Sequence, residues 1–199
     1  MAPRKAAVLR HDERSLREHL IATAERMIAA QGAAGLTVRA IAREAGVADG
    51  VLYNHFADKE ELLAAALRAH VDSVERNLPA LPEPGTGTVE ENLRAHLDHG
   101  LALHRAILPA FTGLIGTPAV LARFAGLGDQ DGDWRSRLVA YLRAERELGR
   151  LPGPATVDAA AALLVGLCHE VVLSTMFPHA AASEVSPDAV VTAILHGIA

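Results

Sequence analysis

The sequence has little of what several classes of protein depend on. Its 199 residues include a single cysteine, Cys168, which excludes an intrachain disulfide and any zinc or redox site built on a CxxC pair. Aromatic residues make up only 4% of the chain, and Lys5 and Lys59 are the only lysines among 19 basic residues. A disulfide-stapled secreted scaffold is therefore not expected.

Long apolar runs are also missing. The longest covers residues 159–168 and ends at His169 and Glu170, and such a run is too short to cross a bilayer. The first twenty residues lack the apolar stretch of a secretory signal. We therefore expect a soluble, cytoplasmic protein that does not bind a membrane.

Apolar residues, many of them alanine, make up 50% of the chain, enough to bury a core. They recur at steps of three and four, as at Leu16, Leu20, Ala24 and Ile28, which is typical of amphipathic helices. No stretch shows a convincing alternation of apolar and polar residues. The sequence therefore predicts an all-α fold.

Glycine and proline divide this pattern into segments. Residues 1–11 are basic and unpatterned and predict a flexible arm, whereas the PALPEPGTGT stretch at 79–88 predicts a loop or linker. Asp58, with Glu61 three residues later, predicts the capped start of a helix that ends before Pro79. Further helices are expected over about 12–31, 38–45, 49–55, 89–108, 119–125, 133–148, 156–177 and 187–198.

The most informative stretch is GLTVRAIAREAGVADGVLYNHFADK, residues 35–59. Its two short helices are joined at Gly46, which favours a turn that other residues resist, and small Ala42 and Ala45 allow the helices to cross closely. Ile41, Val47 and Leu52 would fill the core beneath them. This is the pattern of a helix-turn-helix, whose second helix can enter the DNA major groove.

The same stretch resembles the DNA-binding domain of the TetR family of bacterial regulators. The shared features are AERMIAAQG, then G-L-T-x-x-x-I-A, then A-G-V, and finally L-Y-x-H-F-x-x-K-E-x-L-L. The resemblance implies a three-helix DNA-binding domain over 12–58 and a helical ligand-binding and dimerisation domain over 59–199. It also implies a sequence-specific transcriptional regulator, a repressor released from operator DNA by a small molecule.

The resemblance assigns candidate DNA contacts. Thr37 and Arg39 match phosphate and base-edge contacts at the second helix, and Tyr53, His55 and Lys59 match phosphate contacts. Asp49, Gly50, Val51 and Asn54 match the reading positions of the recognition helix. The alternatives are that Tyr53 packs in the core, that Arg39 is a surface charge, and that Arg4, Lys5 and Arg10 form a tail rather than a minor-groove arm.

Asp49 departs from what a DNA-facing surface favours, because its carboxylate repels phosphate. It could accept a hydrogen bond from a cytosine amino group. We favour the other interpretation, in which Asp49 caps the recognition helix. The charge distribution is only mildly supportive of DNA binding, since residues 1–59 carry nine basic and seven acidic residues within a chain of net charge -5.

The resemblance also implies a homodimer, formed by the helices at about 156–177 and 187–198 in a four-helix bundle. Burial of these apolar helices inside one subunit is the alternative. A ligand would lie between helices of the second domain. Its candidate contacts, each of which could instead be a plain core residue, are His96, His99, Leu103, Phe111, Trp134, Tyr141 and Met176. The sequence does not name the ligand or the operator.

Other classes of function find less support. His96 and His99 lie three residues apart on one predicted helix and could share a metal, but no further ligand matches their spacing. Cys168, His169 and Glu170 are neighbours on a helix and face different directions, so they do not form a catalytic set. We expect no catalytic residue, metal or cofactor. The alternative function is a helical metal-binding or protein-interaction module without DNA specificity.

Overall fold

The computed structural model describes residues 3–128, 132–151, 156–176 and 186–196. Throughout these ranges the regular elements are α-helices, as predicted, and the fold is all-α. The helices are α1 Pro3–Gln31, α2 Val38–Ala45, α3 Asp49–Leu52, α4 Lys59–Asn77, α5 Val89–Thr112, α6 Pro118–Gly126, α7 Trp134–Glu147, α8 Val157–Met176 and α9 Pro187–His196.

The chain forms two compact units. Unit 1 comprises Met1–Arg76 and Pro109–Gly128, and unit 2 comprises Asn77–Leu108 and Asp129–Ala199. Unit 1 thus adds α4, the end of α5 and α6 to the predicted DNA-binding domain of residues 12–58. The functional boundary between residues 58 and 59 stays a prediction.

The core of unit 1 follows the apolar pattern of the sequence. Leu20, Ala24 and Ile28 of α1 are buried, as the steps of three and four predict. They pack with Ile41 of α2 and with residues of α3 and α4 in one apolar cluster. The remaining large side chains of this cluster are Leu36, Leu52, Phe56, Leu62, Leu63, Leu67, Leu114 and Val120.

Three helix boundaries differ from prediction. Helix α1 begins at Pro3 rather than about Asp12, because proline suits the first turn and the following Lys, Ala and Arg residues favour helix. Helix α3 ends at Leu52 rather than His55, and turn hydrogen bonds continue from there. Helix α5 runs through Pro109 to Thr112, since burial of Ala110 in the unit 1 core favours its continuation.

In unit 2, hydrogen bonds connect the loop at 79–88 to α7 and to the residues that follow it. The Gly85 N–H donates to the buried Glu145 carboxylate at 3.0 Å, and Arg150 donates to the carbonyl of Gly87 at 2.5 Å. Asn92 donates to the carbonyl of Thr86 at 2.7 Å. The predicted loop is therefore an ordered part of unit 2, held by Glu145 of α7, Asn92 of α5 and Arg150, which follows α7.

Helix α8 is more apolar than its longest apolar run indicates, because Val171 and Val172 extend it beyond His169 and Glu170. Among the described residues it is long and apolar enough to cross a membrane, with a mean hydropathy of 1.7 over its best window. Only 28% of that window is buried. A core helix of a water-soluble protein meets the same criteria, so length and composition alone do not place α8 in a bilayer.

Candidate functional site

The turn between α2 and α3 is built as the sequence predicts. The Thr37 hydroxyl accepts a hydrogen bond from the Ala40 N–H at 3.1 Å and so caps α2. Gly46 ends α2 with a φ of 71°, and its N–H bonds back to the carbonyls of Ala42 and Arg43. With Ile41 and Leu52 buried beneath, the outer surfaces of α2 and α3 face solvent.

This outer surface holds the predicted DNA-contacting residues together. Thr37, Arg39, Asp49, Gly50 and Asn54 are exposed, whereas Val51, His55 and Lys59 are half-buried. We call these residues, with Tyr53, the α2–α3 face. Tyr53 is 61% exposed, so the alternative that it packs in the core is wrong. A large exposed ring with a hydroxyl group is suited to a partner that has both apolar and polar atoms.

Asp49 does not cap α3, and that interpretation is wrong. The N-cap residue is Ala48, which has no side chain able to accept a hydrogen bond. Asp49 is the first residue inside the helix, and its carboxylate lies 3.3 Å from the Arg39 guanidinium of α2. Because the two side chains are 53% and 89% exposed, this ion pair is weak in water and leaves Arg39 available to a partner.

The start of α4, next to the α2–α3 face, is held by paired carboxylates. Asp58 accepts the Glu61 N–H at 2.9 Å, and the Glu61 carboxylate accepts the Ala57 N–H at 2.7 Å, a variant of the predicted capping box. Arg17 of α1 donates to Glu61 at 3.0 Å, and Arg123 of α6 donates to both Asp58 oxygens at 2.6 Å.

These contacts favour the charged form of both acids. The backbone hydrogen bond from Glu61 lowers the pKa of Asp58, and Arg123 lowers it further. The backbone hydrogen bond from Ala57 likewise lowers the pKa of Glu61, with Arg17 adding to the effect. Pairing of these acids limits their repulsion of any anion that approaches Lys59. Sequence reasoning missed Arg17 and Arg123, because no local pattern links them to residues 44 and 65 positions away.

In unit 2, several predicted ligand contacts lie between α5 and α7. The rings of His96 and Tyr141 are 4.5 Å apart, and those of His104 and Trp134 are 5.4 Å apart. We call these four residues the ring cluster. All four are buried, and Gly100 lies against the Trp134 ring. His104 had not been predicted, although it follows His96 and Gly100 on one helical face at steps of four.

The other predicted ligand contacts are placed differently. The His99 Nδ1–H donates a hydrogen bond to the carbonyl of Pro79 at 3.2 Å, so His99 stabilises the fold, and Leu103 is buried. Phe111 belongs to unit 1, where it packs edge-on against Phe124. Met176 is 37% exposed at the end of α8. In the described part of the chain, no group of three or more His, Cys, Asp or Glu side chains is arranged to hold a metal.

An open apolar groove lies between α8 and α9 in unit 2. Leu163 on its wall is 61% exposed, and Glu170 is the one acidic side chain among the described lining residues. The remaining lining residues are Ala162, Gly166, Leu167, Ala189, Val190, Ala193 and Ile194. Exposure of this groove to water is unfavourable, since nearly all of its side chains are small or aliphatic.

Comparisons with known proteins agree with the geometry of unit 1. The profile of the bacterial regulatory proteins of the tetR family matches residues 20–66, from α1 to α4, and so spans the α2–α3 face. Over this segment the chain is similar to TetR-family regulators. The matched segment contains the capped α2, the Gly46 turn and the paired start of α4 described above.

Curated TetR-family relatives match over the same region. The chain is 29% identical over 92 residues to the transcriptional repressor NemR of Escherichia coli, which covers 46% of each protein. It is 45% identical over 58 residues to the transcriptional repressor KstR2 of Mycobacterium tuberculosis, or 29% of each. The matches thus span less than half the length of either relative.

Likeness to solved structures extends over nearly the whole chain. The crystal structure of the multidrug binding protein EbrR complexed with imidazole is 28% identical, with a TM-score of 0.59. That match covers 92% of this chain and 96% of EbrR. The TetR-like arrangement of an N-terminal helix-turn-helix followed by a helical domain therefore holds for both units, each taken by itself.

Proposed function

We propose that this protein is a transcriptional regulator that binds operator DNA through the α2–α3 face. The observation that carries the proposal is the exposure of Tyr53, Asn54 and Arg39 on a capped helix-turn-helix that matches the TetR-family profile. Asn can bond adenine and Arg can bond guanine in the major groove. The relatives NemR and KstR2 are repressors, which favours repression. As in these relatives, the proposed activity is regulation rather than catalysis.

The α2–α3 face divides into reading and anchoring positions. Asp49, Gly50, Val51 and Asn54 would meet base edges, and Tyr53 would bond phosphate through its hydroxyl. Lys59 and the half-buried His55 would add phosphate contacts, as would Thr37 and Arg39 at α2.

We propose a homodimer formed through the groove between α8 and α9. Palindromic operator half-sites require two recognition helices related by a twofold axis. The 61% exposure of Leu163 supports this interface, since a partner helix would remove such surface from water. The same pairing accounts for the apolar exposed side of α8 in a cytoplasmic protein and makes a membrane partner unnecessary.

We further propose that a small molecule bound in unit 2 releases the operator. The buried rings of His96, Trp134 and Tyr141 support this proposal, as does the likeness to EbrR, which is described as a multidrug binding protein. A ligand would act by favouring a dimer whose recognition helices no longer match successive major grooves, about 34 Å apart.

Selection of binding sites from random duplexes tests the DNA proposal. A palindrome bound about a thousandfold more tightly than random DNA at physiological salt would support it. The variant Asn54→Ala should lower this preference at defined base pairs. Weak binding without a preferred sequence, lost at modest salt, would leave only phosphate attraction and contradict the proposal.

A further inference from the structure

The ring cluster contains buried polar atoms that the protein itself leaves without partners. His96 is 1% exposed, and neither of its ring nitrogens makes a hydrogen bond. The indole N–H of Trp134, which is 3% exposed, likewise has no hydrogen-bond partner. The Tyr141 hydroxyl, in contrast, interacts with the side chains of Asn92 and Glu145. Native proteins satisfy the large majority of such atoms, so those of His96 on α5 and Trp134 on α7 require an explanation.

Polar groups beside the ring cluster are satisfied by the fold. The His104 Nδ1 donates to the carbonyl of Gly100 at 2.6 Å, and His99 bonds to the carbonyl of Pro79. The Glu145 carboxylate accepts the Gly85 N–H and pairs with Arg150 at 3.2 Å. Within the ring cluster, the atoms without a partner thus belong to His96 of α5 and Trp134 of α7, and a polar ligand at this contact would satisfy them.

The side chains of His96, Trp134 and Tyr141 are uncharged at neutral pH. Burial lowers the pKa of His96 to about 4, with nearby His99 and Arg137 acting in the same direction. Burial raises the pKa of Tyr141 to about 12. Neutral imidazole offers one donor and one acceptor, the phenol can do either, and the indole only donates.

We infer that His96, Trp134 and Tyr141 bind a neutral small molecule that carries a flat ring and a hydroxyl or carbonyl oxygen. The oxygen accepts from Trp134 or His96, and the ring packs on the aromatic side chains and on buried Leu97 and Leu138. A charged ligand would lose its hydration against these uncharged groups. The inference rests on the proposed ligand response and names the class of molecule that this response would require.

Phenol, with toluene and benzoate as matched controls, tests the class directly. Trp134 is the only tryptophan of the chain, so its fluorescence reports on the site. Phenol should change this fluorescence saturably and raise the Tm by about 5 to 10 °C at about a hundred times its Kd. Toluene lacks the oxygen and benzoate is charged, so both should bind at least tenfold more weakly. An equal response to either control, or none to phenol, overturns the inference.

A pair of histidine variants separates binding from folding. His96→Leu replaces unpartnered polar atoms, so it should keep or raise the Tm of the free protein and abolish the response to phenol. His99→Leu loses the bond to the Pro79 carbonyl, so it should lower the Tm and keep the response. A His96→Leu variant that still responds to phenol, or that loses as much Tm as His99→Leu, overturns the inference.

Operator binding is measured on the same proteins without phenol. If operator binding persists while phenol has no effect, only the ligand class is rejected. If no variant, nor the parent protein, prefers an operator sequence, the proposed function itself is rejected. The two failures are thus distinguishable.

Discussion

At the scale of single residues, Asp49 shows how an unfavourable charge can be accommodated on the α2–α3 face. Its carboxylate lies against Arg39, 3.3 Å away, at a surface that we propose meets phosphate. The pair is exposed and weak, so the carboxylate is expected to act mainly by repelling DNA phosphate.

Asp49→Asn should therefore raise the affinity for random duplex about fivefold, because one repulsive charge is removed. Affinity for the operator should rise less, since Asp49 is one of the proposed base-contacting positions, and the ratio of operator affinity to random-DNA affinity should fall. Fluorescence anisotropy with both duplexes at one salt concentration measures this. Glu44→Gln, an equal charge change on an exposed α2 position outside the predicted contacts, is the control. A larger gain on the operator than on random DNA would contradict the prediction.

Gly100 is important because it has no side chain at the point where the Trp134 ring packs. A Cβ placed there would lie 2.3 Å from the nearest atom of the Trp134 ring. Gly100→Ala should therefore cost about 1 to 3 kcal/mol through overpacking, although alanine favours helix. Urea unfolding measures the loss. Gly126→Ala has no atom within 4 Å of the added Cβ and should be neutral or stabilising, so equal effects of both changes would be contrary evidence.

At the scale of elements, the sequence predicts the features that depend on apolar periodicity or on neighbouring residues. The helices, the Thr37 cap, the Gly46 turn and the Asp58 start were all predicted from nearby residues. The end of α5 was missed because burial favours its continuation through Pro109. The start of α1 was missed because proline is accommodated in its first turn. The ring cluster was predicted in part, since only the packing of α5 on α7 shows which residues face one another.

Sequence patterns do not indicate the contact between α6 and the start of α4. Arg123→Gln should raise the pKa of Asp58 toward its ordinary value, as NMR titration of the carboxyl would show. The Tm should fall by about 1 to 3 °C at neutral pH. Because the folded-state pKa of Asp58 is depressed, this contribution is present above the unfolded pKa and lost as pH falls through the folded one.

The difference between Arg123→Gln and the parent protein should accordingly vanish in strong acid, where Asp58 is protonated in both. Arg143→Gln, which removes a more exposed pair with Asp158 at 3.3 Å, should change the Tm less. A Tm difference for Arg123→Gln that is independent of pH would show that its ion pair with Asp58 is not the cause.

At the scale of the whole molecule, the buried histidines of unit 2 make stability depend on pH. Burial lowers the pKa of His96 to about 4 and also lowers that of His104. An unfolded histidine titrates near 6.5, so the unfolded chain binds more protons between these values. The free energy of unfolding should therefore fall as pH drops from 6.5 toward 4, with His96 contributing at most about 3 kcal/mol.

Urea unfolding at several pH values, with parent protein and His96→Leu side by side, measures this dependence. The variant should show a flatter profile between pH 6.5 and 4, because it has lost the group with the stronger shift. The carboxylates Asp58 and Glu61 have lowered pKa values, so they act near the acidic end of this window and below it. Parallel profiles of the two proteins would exclude His96 as the source.

Assembly is the remaining property of the whole molecule, and it connects the groove between α8 and α9 to DNA binding. Leu163→Arg places a charge on the wall of that groove, where the protomer leaves the side chain 61% exposed, so folding should be unaffected. Sedimentation should show a monomer, and operator affinity should fall at least about a hundredfold as the second half-site contact is lost. Ile115→Arg alters a 68% exposed residue outside the groove and should leave both properties unchanged. A Leu163→Arg protein that stays dimeric, or a monomer that binds the full operator as well as the parent, would show that this groove does not join the two protomers.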